Sequence, residues 1–214
     1  MNIFKPLLSF LTCLCIVLSS HVGIKAGSSW EEKKEILQLA KDKKWQELQK
    51  ALSENTTIKE LNLMMKSLPP EAAEAIAETL KVNRTLEDLS LVSNDIGDKG
   101  LIALAEALKV NKTLKALDLT QCKIGPKGAE AIADMLKVNS TLKTLDLGNN
   151  ELGTEESVAI AKALNGQKGL KKLMLEQTGM SGEAATTMAQ ALKSNSDLKH
   201  LSLKFNKIGS NAAV

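Results

Sequence analysis

The same apolar grammar restarts every 28 residues, at Ile58, Leu86, Leu114, Leu142, Leu170 and Leu198. A period of that length confines the chain to a stack of similar units, because 28 residues cannot bury both faces of their own elements and must bury them against neighbours. The unit from Leu86 to Thr113 shows the order: Leu86, Leu89 and Leu91, then Asn94, Ile96 and Gly97, then a run ending in Ala105, Leu108 and Asn111. In register, one column reads Leu63, Leu91, Leu119, Leu147, Leu175 and Leu203, and another reads Ala77, Ala105, Ala133, Ala161 and Ala189.

Leu-x-x-Leu-x-Leu predicts a short strand whose leucines alternate inward, and the following Ala-Ile-Ala-x-x-Leu run predicts a helix with Ile132, Ala133 and Leu136 on one stripe. The expected fold class is therefore α/β: a horseshoe-shaped solenoid with parallel strands on the concave face, about 4.8 Å apart, and helices on the convex face. The alanine column predicts helices pressed closely together. Gly97, Gly125, Gly153 and Gly209 are expected at a tight turn of positive φ. Asn94, Asn150 and Asn206 are expected to cap loop backbone groups in a ladder, with Cys122 and Thr178 as weaker substitutes.

These units resemble the ribonuclease-inhibitor-like class of leucine-rich repeats, found also in NOD-like receptors and the Ran GTPase-activating protein, over about residues 43–214. The resemblance implies a scaffold that binds other proteins, with unrelated partners in different members. Two units depart from the pattern. The first has Leu68-Pro69-Pro70 in place of Ile-Gly and Lys66 at the ladder position, as an atypical terminal repeat would; the fifth has Ser181 where the turn glycine belongs.

Lys5 followed by an apolar run from Leu7 to Leu18 and by Ser19 and Ser20 has the layout of a secretory signal peptide. We read residues 1–26 as that leader, with cleavage arguable after Ser20, Gly23 or Ala26. The apolar run is shorter than the roughly 20 residues of a membrane span, which disfavours an uncleaved anchor, and Cys13 lacks the small residue before it that a lipoprotein needs. The expected location is secreted, periplasmic or cell-surface. Only Cys122 then remains, so no internal disulfide forms, and its ladder position marks it as a buried structural thiol.

Residues 27–57 read as a helical N-terminal cap with Trp30 and Trp45 in its core, and residues 58–214 as five full repeats plus a truncated sixth. The strand of that last unit is expected to leave an unpaired edge and an apolar patch, suited to self-association or another partner. Four Asn-x-Thr sequons, at Asn55, Asn83, Asn111 and Asn139, recur with the repeat and are read as structural.

The chain offers no Cys-His, Ser-His-Asp, metal-spaced cluster or phosphate-binding glycine loop, so neither catalysis, metal nor cofactor is expected. Its single arginine, Arg84, lies in a helix-to-strand loop, where a catalytic finger role is disfavoured. Net charge is +3, and loss of the leader removes Lys5 and Lys25 without an acid, so nothing argues for specific nucleic-acid binding. What remains is surface. The candidate partner-binding residues are Asp88, Asp118 and Asp146 in an acidic centre, with Lys172, Met174, Glu176, His200, Lys204 and Phe205 towards the C-terminal end. Beside them Lys59, Lys115, Lys143, Lys171 and Lys199 form a basic row broken by Glu87. With no tyrosine and one arginine, the chain lacks most of the anchors of tight interfaces. The reading is a non-enzymatic protein-interaction scaffold whose partner is unidentified. Its alternatives are a polyanion or envelope-surface binder using the lysine row, and a fragment of a larger receptor or effector.

Overall fold

A computed structural model describes residues 29–209; the expected leader and residues 210–214 lie outside the described residues. Two helices, α1 (Ser29–Lys41) and α2 (Trp45–Glu54), come first among the described residues. Strand and helix then alternate: β1 (Glu60–Asn62), α3 (Pro70–Val82), β2 (Asp88–Ser90), α4 (Gly97–Val110), β3 (Ala116–Asp118), α5 (Pro126–Val138), β4 (Thr144–Asp146), α6 (Thr154–Ala163), β5 (Lys172–Met174), α7 (Gly182–Leu192) and β6 (His200–Ser202).

The six strands form one parallel sheet in chain order, with Leu61, Leu89, Leu117, Leu145, Leu173 and Leu201 in register across it. The third-beat leucines from Leu63 to Leu175 are fully buried behind them. Each such side chain contributes about 1.5–3 kcal/mol by leaving water, and neighbouring repeats must be present to supply that burial. Each helix from α3 to α6 packs on the next. Ala77, Ala105, Ala133 and Ala161 are buried at that contact, where a larger side chain would force the helices apart. Ala189 departs from the column: it sits on α7, beyond which no further helix is described, and is exposed.

In the cap, Ile36, Leu48 and Leu52 close the first end of the core, and Trp45 packs partly against it. Trp30 does not. It is 68% exposed, with the Lys34 ammonium 5.5 Å from its ring, because it lies in the first turn of α1, short of the stripe carrying Ile36 and Ala40.

The asparagine ladder is present and works between repeats. Asn94 Oδ1 accepts from the Lys66 and Leu68 amides at 3.0 Å each, while its Nδ2 donates to Leu63 O and Leu91 O. Asn150 repeats this with Cys122 N, Ile124 N, Leu119 O and Leu147 O, and Asn206 with Thr178 N, Met180 N, Leu175 O and Leu203 O. In the intervening repeats Cys122 Sγ reaches Leu91 O at 3.1 Å, and Thr178 Oγ1 reaches its own Leu175 O at 3.1 Å and Asn206 Oδ1 of the next repeat at 3.3 Å. An asparagine in alternate units suffices because its amide serves the preceding loop.

The turn leaving each strand is left-handed one residue before the ladder. Met65, Ser93, Gln121, Asn149, Gln177 and Phe205 all have φ between 53° and 59°. No glycine marks this row, and the strain is held by a bond from each of the first five amides to the next repeat, as in Ser93 N to Thr120 O at 2.9 Å. Of the expected turn glycines, Gly97, Gly153 and Gly209 have positive φ, but Gly125 does not. It is extended, at φ −110° and ψ −163°, as the proline that follows, Pro126, favours for the residue before it. Its amide donates to Asp98 Oδ1 at 2.7 Å. Ser181, at the same position, accepts from Ala184 N and caps α7.

Candidate protein-binding faces

The parallel register puts the side chains between the strand leucines on the concave face in columns. Asp88 lies beside Ala116, and Asp118 beside Asp146, with Met174 next in that row and Ser202 last. Lys172 and His200 are likewise register partners. The expected acidic centre and mixed C-terminal part are therefore brought together.

Asp118 and Asp146 also have a local task that sequence reasoning missed. Asp118 Oδ1 accepts from the amide and hydroxyl of Thr120, and Asp146 Oδ1 accepts from Gly148 N at 2.9 Å. Asn62 does the same for Met64 N. These are Asx turns that start the exit from the strand, and the signal was available in the Asn/Asp-x-residue spacing at the last strand position. Among the described residues, no ion pair neutralises Glu60, Asp88, Asp118, Asp146 or Glu176; Glu176 accepts from the Ser202 hydroxyl. Partial burial, then the charges of Glu60 and Asp118, raise the carboxyl of Asp88. Burial chiefly, with Asp118 and Glu176, raises Asp146 against the lowering bond from Gly148.

A raised folded-state pKa means the fold prefers the protonated acid, so the ionised form costs stability at neutral pH, and that cost disappears as pH falls through the raised value. Asp146→Asn keeps an acceptor for Gly148 N and removes the charge. It is expected to stabilise the chain by about 0.5 kcal/mol at pH 7, with the gain shrinking to nothing in acid. Urea unfolding at pH 7 and in the carboxylate range measures this; an unchanged midpoint at pH 7 would refute it.

The lysine row lies at the loop edge where chain enters the strands. Its backbone forms a continuous ladder: Glu87 N to Lys59 O, Lys115 N to Glu87 O, Lys143 N to Lys115 O, Lys171 N to Lys143 O and Lys199 N to Lys171 O, each at 2.7 or 2.8 Å. Glu87 sits between Lys59 and Lys115 and pairs with both, and the Lys115 ammonium holds its carboxyl below the usual range. Lys171 pairs with Asp197 at 2.8 Å, which with the Gly169 amide lowers the Asp197 carboxyl. Lys143 and Lys199 reach only the carbonyls of Ser140 and Ser196. Beside this row, at the helix ends, Val82, Val110 and Val138 are all more than half exposed.

The C-terminal candidates divide. Lys204 continues the loop column of Glu176 beyond the strands, and Phe205 belongs to the left-handed turn row, 81% exposed. That places Phe205 outside the strand columns that hold Met174 and His200. Leu201 and Leu203 are partly buried against the core. Arg84 Nη1 donates to the carbonyls of Lys81 and Asn83, closing the end of α3. Cys122 is fully buried, and burial pushes its thiol up to about 12. In the native state at pH 8 it is expected to resist a disulfide reagent and to react only as fast as its repeat opens; stoichiometric modification within the mixing time would show the thiol is not enclosed. No group of three or more His, Cys, Asp and Glu residues among those described could hold a metal ion, and no described helix is long and apolar enough to cross a membrane.

Comparison with known proteins places this architecture. A general leucine-rich repeat family matches residues 82–105. Leiomodin-1 actin-binding site 2 superposes with a TM-score of 0.59 at 26% identity, over 76% of this chain and 88% of that one. The tropomodulin C-terminal domain of Caenorhabditis elegans, at 18% identity and a TM-score of 0.57, covers 75% of this chain and 91% of its own and shares the fold. No curated protein matches the sequence. The TMOD/LMOD leucine-rich domain family matches residues 101–214, more than half of the chain. By that match this chain belongs to the TMOD/LMOD leucine-rich domain family.

Proposed function

We propose that the chain is a non-enzymatic scaffold that binds actin or an actin-like protein. The observation that carries this reading is the superposition on leiomodin-1 actin-binding site 2. The carboxylates of the concave face, unneutralised by any described lysine, supply the charged contact, and the scarcity of aromatic and arginine anchors sets the affinity in the micromolar range. Isothermal titration of monomeric actin into the purified chain is expected to give a dissociation constant between about 1 and 100 μM, with Asp118→Asn/Asp146→Asn weakening it several-fold while preserving both turn caps. Absence of heat and of a shift in sedimentation at 200 μM actin would remove actin as the partner. We keep two finer readings as proposals: that the repeat follows the ribonuclease-inhibitor-like pattern, and that residues 1–26 export the chain.

A second reading is favoured by the lysine row, whose backbone ladder holds Lys115, Lys143 and Lys171 side by side with only Glu87 and Asp197 opposing them. Such an edge fits an anionic surface. Binding to vesicles of anionic lipid that falls steeply with salt and is lost in Lys115→Glu/Lys143→Glu/Lys171→Glu would support it; equal binding by both proteins would dismiss it.

A further inference from the structure

The four Asn-x-Thr sequons are parts of the fold. Asn83, Asn111 and Asn139 cap the C-terminal ends of α3, α4 and α5 in an extended conformation. Their exposures are 4%, 0% and 3%. The Nδ2 atom, which a glycan would occupy, donates one repeat back: Asn83 to Leu52 O at 2.8 Å, Asn111 to Leu80 O at 2.7 Å and Asn139 to Leu108 O at 2.6 Å. Each Oδ1 accepts from the two amides that begin the next strand segment, those of Thr85 and Leu86, Thr113 and Leu114, and Thr141 and Leu142. Asn55 follows the same plan at the cap, with its Oδ1 on Thr57 N and Ile58 N and its Nδ2 on Glu32.

The threonine of the sequon is occupied as well. Thr85 Oγ1 reaches Asn55 O, and Thr113 Oγ1 reaches Asn83 O, both at 3.4 Å. Where the sequence abandons the sequon, the fold keeps the device. Gln167 Nε2 donates to Asn139 O, and Asn195 Nδ2 donates to Leu164 O, yet Gly169 and Asp197 stand where the threonine would be. The amide, not the acceptor motif, is what the repeat requires.

An N-linked glycan is a bulky polar group that needs a surface loop. Here it would sit on a nitrogen enclosed between two repeats, and it would have to pass through the contact that stacks them. Once the chain is folded, a transferase cannot reach the nitrogen; once the nitrogen is glycosylated, the repeat cannot close. We infer that N-glycosylation and folding are mutually exclusive in this chain. Any export that its leader directs must then follow a route that does not glycosylate the nascent polypeptide, or one on which folding comes first.

The test is to place the full chain behind a eukaryotic secretory leader in a glycosylating cell line, with and without tunicamycin, beside a Thr57→Val/Thr85→Val/Thr113→Val/Thr141→Val variant that keeps every asparagine. Endoglycosidase-sensitive mass, secretion and protease resistance are read on each fraction. The expected result is that every glycosylated molecule is retained and protease-sensitive, that every protease-resistant molecule is unglycosylated, and that tunicamycin raises the resistant fraction several-fold. The variant should match the tunicamycin sample, and the same variant made in a bacterial cytosol reports by circular dichroism whether the substitutions themselves are tolerated; if they are not, the tunicamycin arm decides. A secreted, protease-resistant chain carrying glycan on Asn83, Asn111 or Asn139 would overturn the inference.

Discussion

Asn150→Ala is expected to destabilise the chain by about 3–5 kcal/mol, with a fall in melting temperature of roughly 10 °C or more. The side chain joins two repeats: it accepts from Cys122 N and Ile124 N and donates to Leu119 O and Leu147 O, with a longer bond to Gly148 O. All of this takes place at a residue 3% exposed. Truncation leaves two amides and two carbonyls without their partner in a site with little room for water, and each such orphan costs about 1–3 kcal/mol before local relaxation. Cys122→Ala is the matching control. It removes one weak thiol bond to Leu91 O and a small buried volume, so about 1–2 kcal/mol is expected. Thermal melts of both proteins check this. Equal losses would mean that the ladder's work lies in packing rather than in the amide.

That difference also explains what could be read from the sequence. The period alone located strand, ladder and helix, because burial imposes the same residue at the same place in every unit and a column of leucines or alanines has no other common cause. Features that are conformational rather than chemical escaped it. The left-handed row of Met65, Ser93, Gln121, Asn149, Gln177 and Phe205 shares a φ but no side-chain type, since its strain is held by amides bonding to the next repeat. Gly125 was assigned a turn by its column, although the proline after it favours an extended backbone. Trp30, expected in the core of the cap, is exposed because its turn of α1 falls short of the buried stripe.

The candidate faces were legible to the extent that register is legible. Alternation along a strand of known period assigns Asp88, Asp118 and Asp146 to one surface without further information. It does not reveal that Asp118 and Asp146 already hold loop amides, nor that Glu87 divides the lysine row by pairing on both sides. Such contacts depend on rotamers and on loops that carry no fixed period. The consequence for binding is concrete: the acidic centre is pre-organised by its turn caps, so charge can be removed there by an amide without disturbing the backbone.

The repeat that ends differently from the others supplies the second large effect. Helix α6 stops at Ala163, and the asparagine cap of the earlier units gives way to Leu164-Asn165-Gly166-Gln167. Gln167 is one methylene longer than the asparagine it replaces, and its amide reaches Asn139 O, not the carbonyl at the end of the preceding helix. The backbone makes up the difference at Gly169, with φ +103°, in a position that is threonine in the four preceding units. A Cβ there would fall far inside van der Waals contact with the Ser140 carbonyl oxygen and 2.8 Å from its carbonyl carbon. Both are backbone atoms of the preceding repeat, so relief requires the two units to separate. Gly169→Ala is therefore expected to cost about 3–4 kcal/mol, from a disallowed φ and a clash that no rotamer change relieves. Gly166→Ala, at φ +69° with nothing within 4 Å of the added carbon, carries the backbone penalty alone, about 1 kcal/mol. Separation at this joint should also release the Asp197 carboxylate from Gly169 N and, through it, from Lys171. Hydrogen exchange is the decisive readout: Gly169→Ala should lose protection first in β5 and β6, on the C-terminal side of the joint, while β1 to β3 keep theirs. A uniform loss across all six strands would mean that the clash is absorbed globally and that the repeats do not open one at a time.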